Sequence, residues 1–217
     1  LLPSILSSGV TQINILVGTI IASFQTGAVS YLYYADRIYQ INLALAGIAV
    51  GTVSLPVLSK AFKQKNIKKI FVIQNRSLEL SLLLSIPASL GLIIASKQIV
   101  SSLFGYGSFT NTDVEMTSLA LKYFGYGVPA FALIKILSNF YFARDNTKIP
   151  FYISVFIVFL NILISVSLFN KVGFIIIPIA TSITTWIGVI VYIYSLNKKN
   201  LINIETNLYK SFIKVIL

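Results

Sequence analysis

The sequence predicts an all-α polytopic membrane protein, and three observations carry that prediction. Apolar residues make up 56% of the chain and charged residues only 11%, where a soluble domain carries about 25% charge. Mean hydropathy is +0.86, and the apolar residues gather into runs close to the roughly 20 residues that cross a hydrocarbon core. The basic residues fall in short loops between those runs, which is the charge pattern of membrane topology.

The elements follow in order. A first span is expected over 3–24, closed by the polar tip Gln25-Thr26-Gly27. A second runs over 29–58, longer than it needs to be, with Gly47, Gly51 and Pro56 available to bend or tilt it. Over 60–76, Lys60, Lys63, Lys65, Lys68, Lys69 and Arg76 alternate with Phe62, Ile67, Ile70, Phe71 and Ile73. That spacing predicts a cytoplasmic, interfacial amphipathic helix with its lysines on anionic membrane lipids; a plain positively charged loop is the alternative. A third span is expected over 77–96, a turn-rich loop over 101–111, a fourth span over 115–142, a fifth over 149–169 and a sixth over 174–196, with Lys171-Val172-Gly173 as the tight turn between the last two. Residues 197–217 read as a linker followed, from 211, by the start of a further helix. The chain opens and closes inside apolar runs, so it is expected to be a fragment of a longer protein.

Loops after even-numbered spans hold six basic residues at 60–76, then Arg144 and Lys148, then Lys198 and Lys199; loops after odd-numbered spans hold none at 25–28, then Lys97 and Lys171. The first set (60–76, 143–149 and 197–210) is therefore cytoplasmic. The same clustering argues against nucleic acid as the partner of the +11 net charge. The chain has no cysteine and no histidine, which excludes thiol and imidazole chemistry within it. Its six carboxylates are scattered, so an enzyme active site is not expected, nor is a metal or cofactor.

Arg37, beside Asp36 inside the second span, is the candidate functional residue. A guanidinium stays charged, and holding it in hydrocarbon costs about 2.5–3.5 kcal/mol on insertion scales. Arg37 lies ten residues beyond Gly27, roughly 15 Å below the outer turn and near mid-bilayer. Helical spacing puts Tyr33, Tyr34, Gln40 and Ile41 beside it. Asp36 points about 100° away, placed for a partner on another helix. A planar fork of donors at that depth suits a phosphate-bearing ligand in a central cavity; a structural ion pair between helices is the alternative. Lys135 is a weaker candidate, placed either to snorkel to the cytoplasmic headgroups or to face the cavity. Gln12, Asn14, Asn161, Ser165, Thr181 and Thr185 are expected to hydrogen-bond neighbouring helices. The prolines and glycines of the spans are expected to make the helices bendable.

The run YYADRIYQINLALAGIAVGTVSLPVLSKAF at 33–62, LFGYGSFTNTD at 103–113 and GVPAFALIKILSNFYFARDNTKIPF at 127–151 together resemble the MviN/MurJ family of lipid II flippases. The resemblance implies one lobe of a transporter of the multidrug/oligosaccharidyl-lipid/polysaccharide exporter (MOP, MATE-like) superfamily. Residues 1–196 would be its second six-helix lobe, helices seven to twelve, and 211–217 the start of helix thirteen. It implies lipid II, an undecaprenyl-pyrophosphate-linked precursor of the cell wall, as substrate in the bacterial inner membrane, and an N-terminal lobe as partner. Arg37 matches the family's cavity arginine and Asp36 the acid before it. Movement would be driven by an ion gradient or the membrane potential, and the sequence assigns neither. A polysaccharide-lipid flippase or a drug/cation antiporter of the same superfamily is the alternative, and a non-transporting scaffold a further one.

Overall fold

A computed structural model describes residues 2–203, with side chains from residue 12 onward. Among the described residues the chain is helical. In order it forms α1 (Leu2–Ser23), α2 (Ala28–Leu43), a π-helical segment (Ala44–Ala49), α3 (Val50–Lys63), α4 (Ile67–Ile94), α5 (Ser96–Phe104), α6 (Asn111–Gly125), α7 (Val128–Phe142), α8 (Lys148–Val172), a 3₁₀ turn (Gly173–Ile175) and α9 (Ile176–Lys198). Ala28–Lys63, Ile67–Ile94 and Lys148–Lys198 are each long and apolar enough to cross a membrane, and Asn111–Gly125 with Val128–Phe142 form one further span broken by 43°. The 51 residues of Lys148–Lys198 would stretch about 77 Å if straight. They fold back instead at Gly173, whose φ of 75° suits a residue without a Cβ. Asn161 then meets Thr184, and Gly188 lies against Ile157, an antiparallel pair. Six rods result, α1, α2–α3, α4, α6–α7, α8 and α9, in the expected order.

The ends of the bundle bear out the alternation of the loops. At one end Gln25 accepts a 2.9 Å hydrogen bond from the Phe174 backbone N–H, joining the first turn to the α8–α9 turn. At the other, Gln74 and Asn75 near the start of α4 reach the backbone of 201–203. Two apolar clusters stack between the ends. One joins Ile21, Tyr39, Leu121, Phe124 and Phe174; the other joins Leu58, Ile70, Phe140, Tyr141, Tyr192 and Leu196. The flanks carry exposed apolar side chains such as Ile94, Phe159 and Ile190, as expected of a surface bathed in lipid.

Several expected boundaries are corrected. No separate amphipathic helix forms over 60–76: α3 continues to Lys63, the chain turns at Lys65 (φ 53°), and α4 begins at Ile67. Ile70 is buried in the inner cluster, so part of the apolar face of this segment packs on the bundle. α4 has 28 residues, about 42 Å, and its first turns extend past a hydrocarbon core of about 30 Å. Residues 101–104 belong to α5, leaving the loop to 105–110. The fourth rod begins at Asn111 with a capping box between Thr110 and Asp113. Lys171 and Val172 end α8, and the turn is at Gly173. In the second rod Pro56 lies within α3, and the irregularity is the π segment around Gly47.

The break between α6 and α7 is stitched. Pro129 has no N–H for the Gly125 carbonyl, and Ser89 of α4 donates to that oxygen at 2.7 Å. Ser182 and Trp186 of α9 donate to the carbonyls of Tyr123 and Tyr126 at 2.6 and 3.0 Å. Three side chains from two helices thus fill acceptors at the break, which makes this bend a fixed elbow.

Candidate substrate site on the open face of α2

The rod from Ala28 to Lys63 is packed along one side only. α2 packs on α6, α3 on α4, and α3 and the π segment on α7. The opposite side shows Tyr33, Arg37, Gln40, Ala44, Ile48 and Thr52 exposed, spaced three and four residues apart so that they form one stripe. Arg37 sits in this stripe with no carboxylate partner among the described residues. Its guanidinium carbon lies 4.7 Å from the centre of the Tyr33 ring, within cation–π range. The ring supports the cation and leaves its donors unspent. The guanidinium is neither sealed in apolar packing nor tied to a second helix.

Asp36 is half-buried and accepts a hydrogen bond from Gln40 one turn along the same helix. The expected partner on another helix is replaced by a local one, because i and i+4 positions share a face. Gln40 therefore serves Asp36. Tyr34 turns away from Arg37 into an aromatic cluster with Phe104 and Phe109, at ring separations of 4.8 and 5.4 Å. Lys135 is exposed on α7, and its stem lies against Gly51. Gly51 is fourteen residues from Arg37 along the rod, about 21 Å, so the two cations do not form one site. The structure thus brings together Arg37 with Tyr33, and Asp36 with Gln40; Tyr34 touches the edge of the Tyr33 ring at 6.0 Å while packing on Phe104 and Phe109, and Lys135 lies apart from them.

Of the other polar residues, Asn161 donates to Thr181 and Thr184 at 3.1 and 3.4 Å and ties α8 to α9. Thr185 bonds its own helix at the Thr181 carbonyl, Gln12 is exposed, and the buried Asn14 Oδ1 and Ser165 Oγ have no hydrogen-bond partner among the described residues. Among the described residues no cluster of acids could hold a metal ion.

Two features inward of Arg37 go beyond the sequence reading, which offered Gly47 and Gly51 only as points of bend or tilt and Arg144 only as a loop charge. The π segment follows α2 directly, and Gly47 and Gly51 let it approach α7: a Cβ on Gly47 would stand 3.2 Å from the Ala132 Cα, and one on Gly51 would stand 3.2 Å from Asn139 Nδ2. Asn139 donates to the Gly51 carbonyl at 2.8 Å and fixes the crossing. The second feature is Arg144, between α7 and α8. It donates to the carbonyls of Phe140 at 2.6 Å and Leu201 at 2.9 Å, and its guanidinium carbon lies 4.3 Å from the centre of the Phe62 ring. Burial lowers its pKa to about 10, which leaves it cationic at neutral pH. Gln74 shares the Leu201 carbonyl, and Asn75 holds that of Asn203. Arg144 is thus a clamp on the chain leaving α9. Arg144→Ala is expected to lower stability by about 2 kcal/mol, as for a lost hydrogen bond to a charged group. Arg144→Lys should recover only part, because an ammonium lacks the fork; denaturant unfolding of the purified protein measures both.

A family model described as lipid II flippase MurJ matches residues 1–217. A probable lipid II flippase MurJ of Rickettsia prowazekii is 38% identical over 216 residues, covering 99% of this chain and 42% of the relative. One from Rhizobium meliloti is 40% identical over 187 residues, covering 86% of this chain and 35% of the relative. The chain therefore spans about two-fifths of the length of these relatives. Among solved structures, a lipid II flippase MurJ in an inward closed conformation superposes with a TM-score of 0.87 at 31% identity, over 99% of this chain and 44% of that one. An outward-facing multidrug MATE transporter of the MOP superfamily superposes at 0.80 with 17% identity, over 97% and 48%, which is a likeness of fold. The helices and these relatives make the chain a multi-pass inner-membrane protein. With its whole length matched and its rods in that order, the chain belongs to the lipid II flippase MurJ family.

Proposed function

We propose that this chain acts as one lobe of a lipid II flippase, carrying the undecaprenyl-pyrophosphate-linked disaccharide-pentapeptide from the inner to the outer leaflet by alternating access. The observation that supports this most is Arg37: a cation ten residues below the outer turn, on the open stripe of α2, with its donors unspent. An N-terminal lobe opposite that stripe would enclose a hydrated cavity. There Arg37 would take the pyrophosphate through two parallel hydrogen bonds, and Tyr33 would steady the guanidinium. Asp36, half-buried and paired with Gln40, would position the helix face. No covalent step is involved. A cationic drug would be repelled at Arg37, which favours the pyrophosphate lipid over an antiporter substrate. The exposed Lys60, Lys63, Lys65, Lys68 and Lys69 would face anionic lipids at the cytoplasmic surface, with 143–149 and 197–210 on the same side.

The test uses the full-length protein in vesicles loaded with fluorescent lipid II. Protein-dependent movement between leaflets, competed by unlabelled pyrophosphate lipid and indifferent to a cationic drug, is the expected result. Movement competed by the drug and indifferent to the lipid would contradict the reading.

A further inference from the structure

Lys135 is the one exposed residue of α7. Eleven of the fifteen residues of that helix are buried, because α2, the π segment, α3, α4 and α9 all pack on it. A helix enclosed in this way has no lipid-facing flank, so its exposed residue opens into the cleft of the lobe. The neighbours locate the opening. One turn outward, Phe131 packs on Tyr39 of α2 at a ring separation of 5.3 Å. Ile134 lies against Gly188 of α9, and the stem of Lys135 crosses Gly51 of α3, where a Cβ would stand 3.2 Å from the lysine Cγ. Gly51 immediately precedes Thr52, the innermost member of the open stripe. Snorkelling does not account for this placement. α7 runs toward the cytoplasmic end, so its Cα–Cβ bonds tilt back toward the outer end, and the lysine stem leaves the helix away from the cytoplasmic headgroups. Asn139, one turn further on, donates to the Gly51 carbonyl at 2.8 Å and holds open the gap in which the stem lies. Among the described residues the ammonium has no carboxylate partner.

We propose that Lys135 is a specificity-determining residue that takes a carboxylate of the substrate's peptide while Arg37 holds the pyrophosphate, an assignment that rests on the flippase reading above. Gly51 lies fourteen residues inward of Arg37, about 21 Å, so a pyrophosphate at Arg37 does not touch Lys135. The peptide does reach that far. Five extended residues span about 17 Å, and the disaccharide between peptide and pyrophosphate covers the remainder. The two cations also differ in the way the two anions differ. The planar fork at Arg37 suits a phosphate, whereas an ammonium is a point charge with rotatable donors and suits the mobile end of a peptide. Confinement of the stem over Gly51 reduces the side-chain freedom lost when the pair forms.

The test uses the full-length protein in vesicles with two fluorescent substrates, lipid II and lipid II whose peptide carboxylates are amidated. The half-saturating concentration for movement between leaflets is measured for each. Wild type is expected to favour the carboxylate form, and Lys135→Gln to lower that preference about tenfold, the scale of one charge-assisted hydrogen bond. Lys135→Arg, which keeps the charge, should keep the preference. Lys135→Met serves as a second uncharged variant, and because the preference is a ratio within one preparation, a reduced folded fraction cancels from it. A wild type that moves both forms without preference, or uncharged variants that discriminate as wild type does, overturns the assignment of Lys135 and leaves the flippase reading standing. A wild type that moves neither form overturns the flippase reading, and this assignment with it.

Discussion

Arg37→Ala in the full-length protein is expected to abolish lipid II movement while leaving the bundle folded. The side chain is exposed and lies on Tyr33, so its loss removes no core contact, and the half-buried Asp36 beside it keeps its hydrogen bond from Gln40. The cost falls on the ligand: truncating one member of a desolvated charge pair costs about 2–5 kcal/mol, which is roughly 30-fold to more than 1,000-fold in affinity. Arg37→Lys should recover a minor part. It keeps the charge but replaces a planar fork with a point donor, and it weakens the contact with Tyr33. Vesicle transport and circular dichroism on the same preparations separate loss of function from loss of fold. An Arg37→Ala protein that transports normally would remove this residue from the site.

Gly47→Val is expected to be the most damaging small-to-large change in the second rod. A Cβ there would stand 3.2 Å from the Ala132 backbone, and a backbone atom cannot swing aside as a side-chain tip can. Overpacking of this kind costs about 1–3 kcal/mol. Here it would also push the π segment off α7 and strain the Asn139 bond to Gly51. Gly91→Ala in α4 is the control, because a Cβ there meets nothing within 4 Å and alanine is the better helix former. Thermal unfolding in micelles should show a lower midpoint for Gly47→Val and no decrease for Gly91→Ala. Equal effects at the two positions would show that close packing against α7 is not what Gly47 provides.

What the sequence made legible was the part governed by hydropathy and charge. Six apolar runs became six rods, and the alternation of basic loops matches the ends at which Gln25 meets Phe174 and Arg144 meets Leu201. Arg37 stood out as a candidate because a guanidinium among apolar residues has no cheap structural explanation, and the structure leaves it exposed on the open stripe of α2. Helical spacing correctly put Tyr33 beside it, but it also proposed Tyr34, which packs on the outer Phe104 and Phe109 and meets the group only through the edge of the Tyr33 ring. Partner choice among neighbours on one helix depends on what the next helices present, and one sequence does not encode that locally. The same holds for 60–76, where alternating lysines and apolar residues fit an interfacial helix equally well as a helix end, a turn and a helix start packed on the bundle. The π segment and the Arg144 clamp depend on contacts between residues tens of positions apart, 88 in the case of Asn139 and Gly51 and 57 for Arg144 and Leu201. Groups of that kind appear in a sequence only as ordinary small or basic residues.

The central claim is that residue 37 faces water at mid-membrane depth, and the chain's lack of cysteine allows it to be tested directly. In a full-length protein free of other thiols, Arg37→Cys should react in intact membranes with a membrane-impermeant, charged thiol reagent, and lipid II should slow that reaction. A thiol at position 37 that reacts only with lipid-soluble reagents, at a rate indifferent to lipid II, would contradict the account.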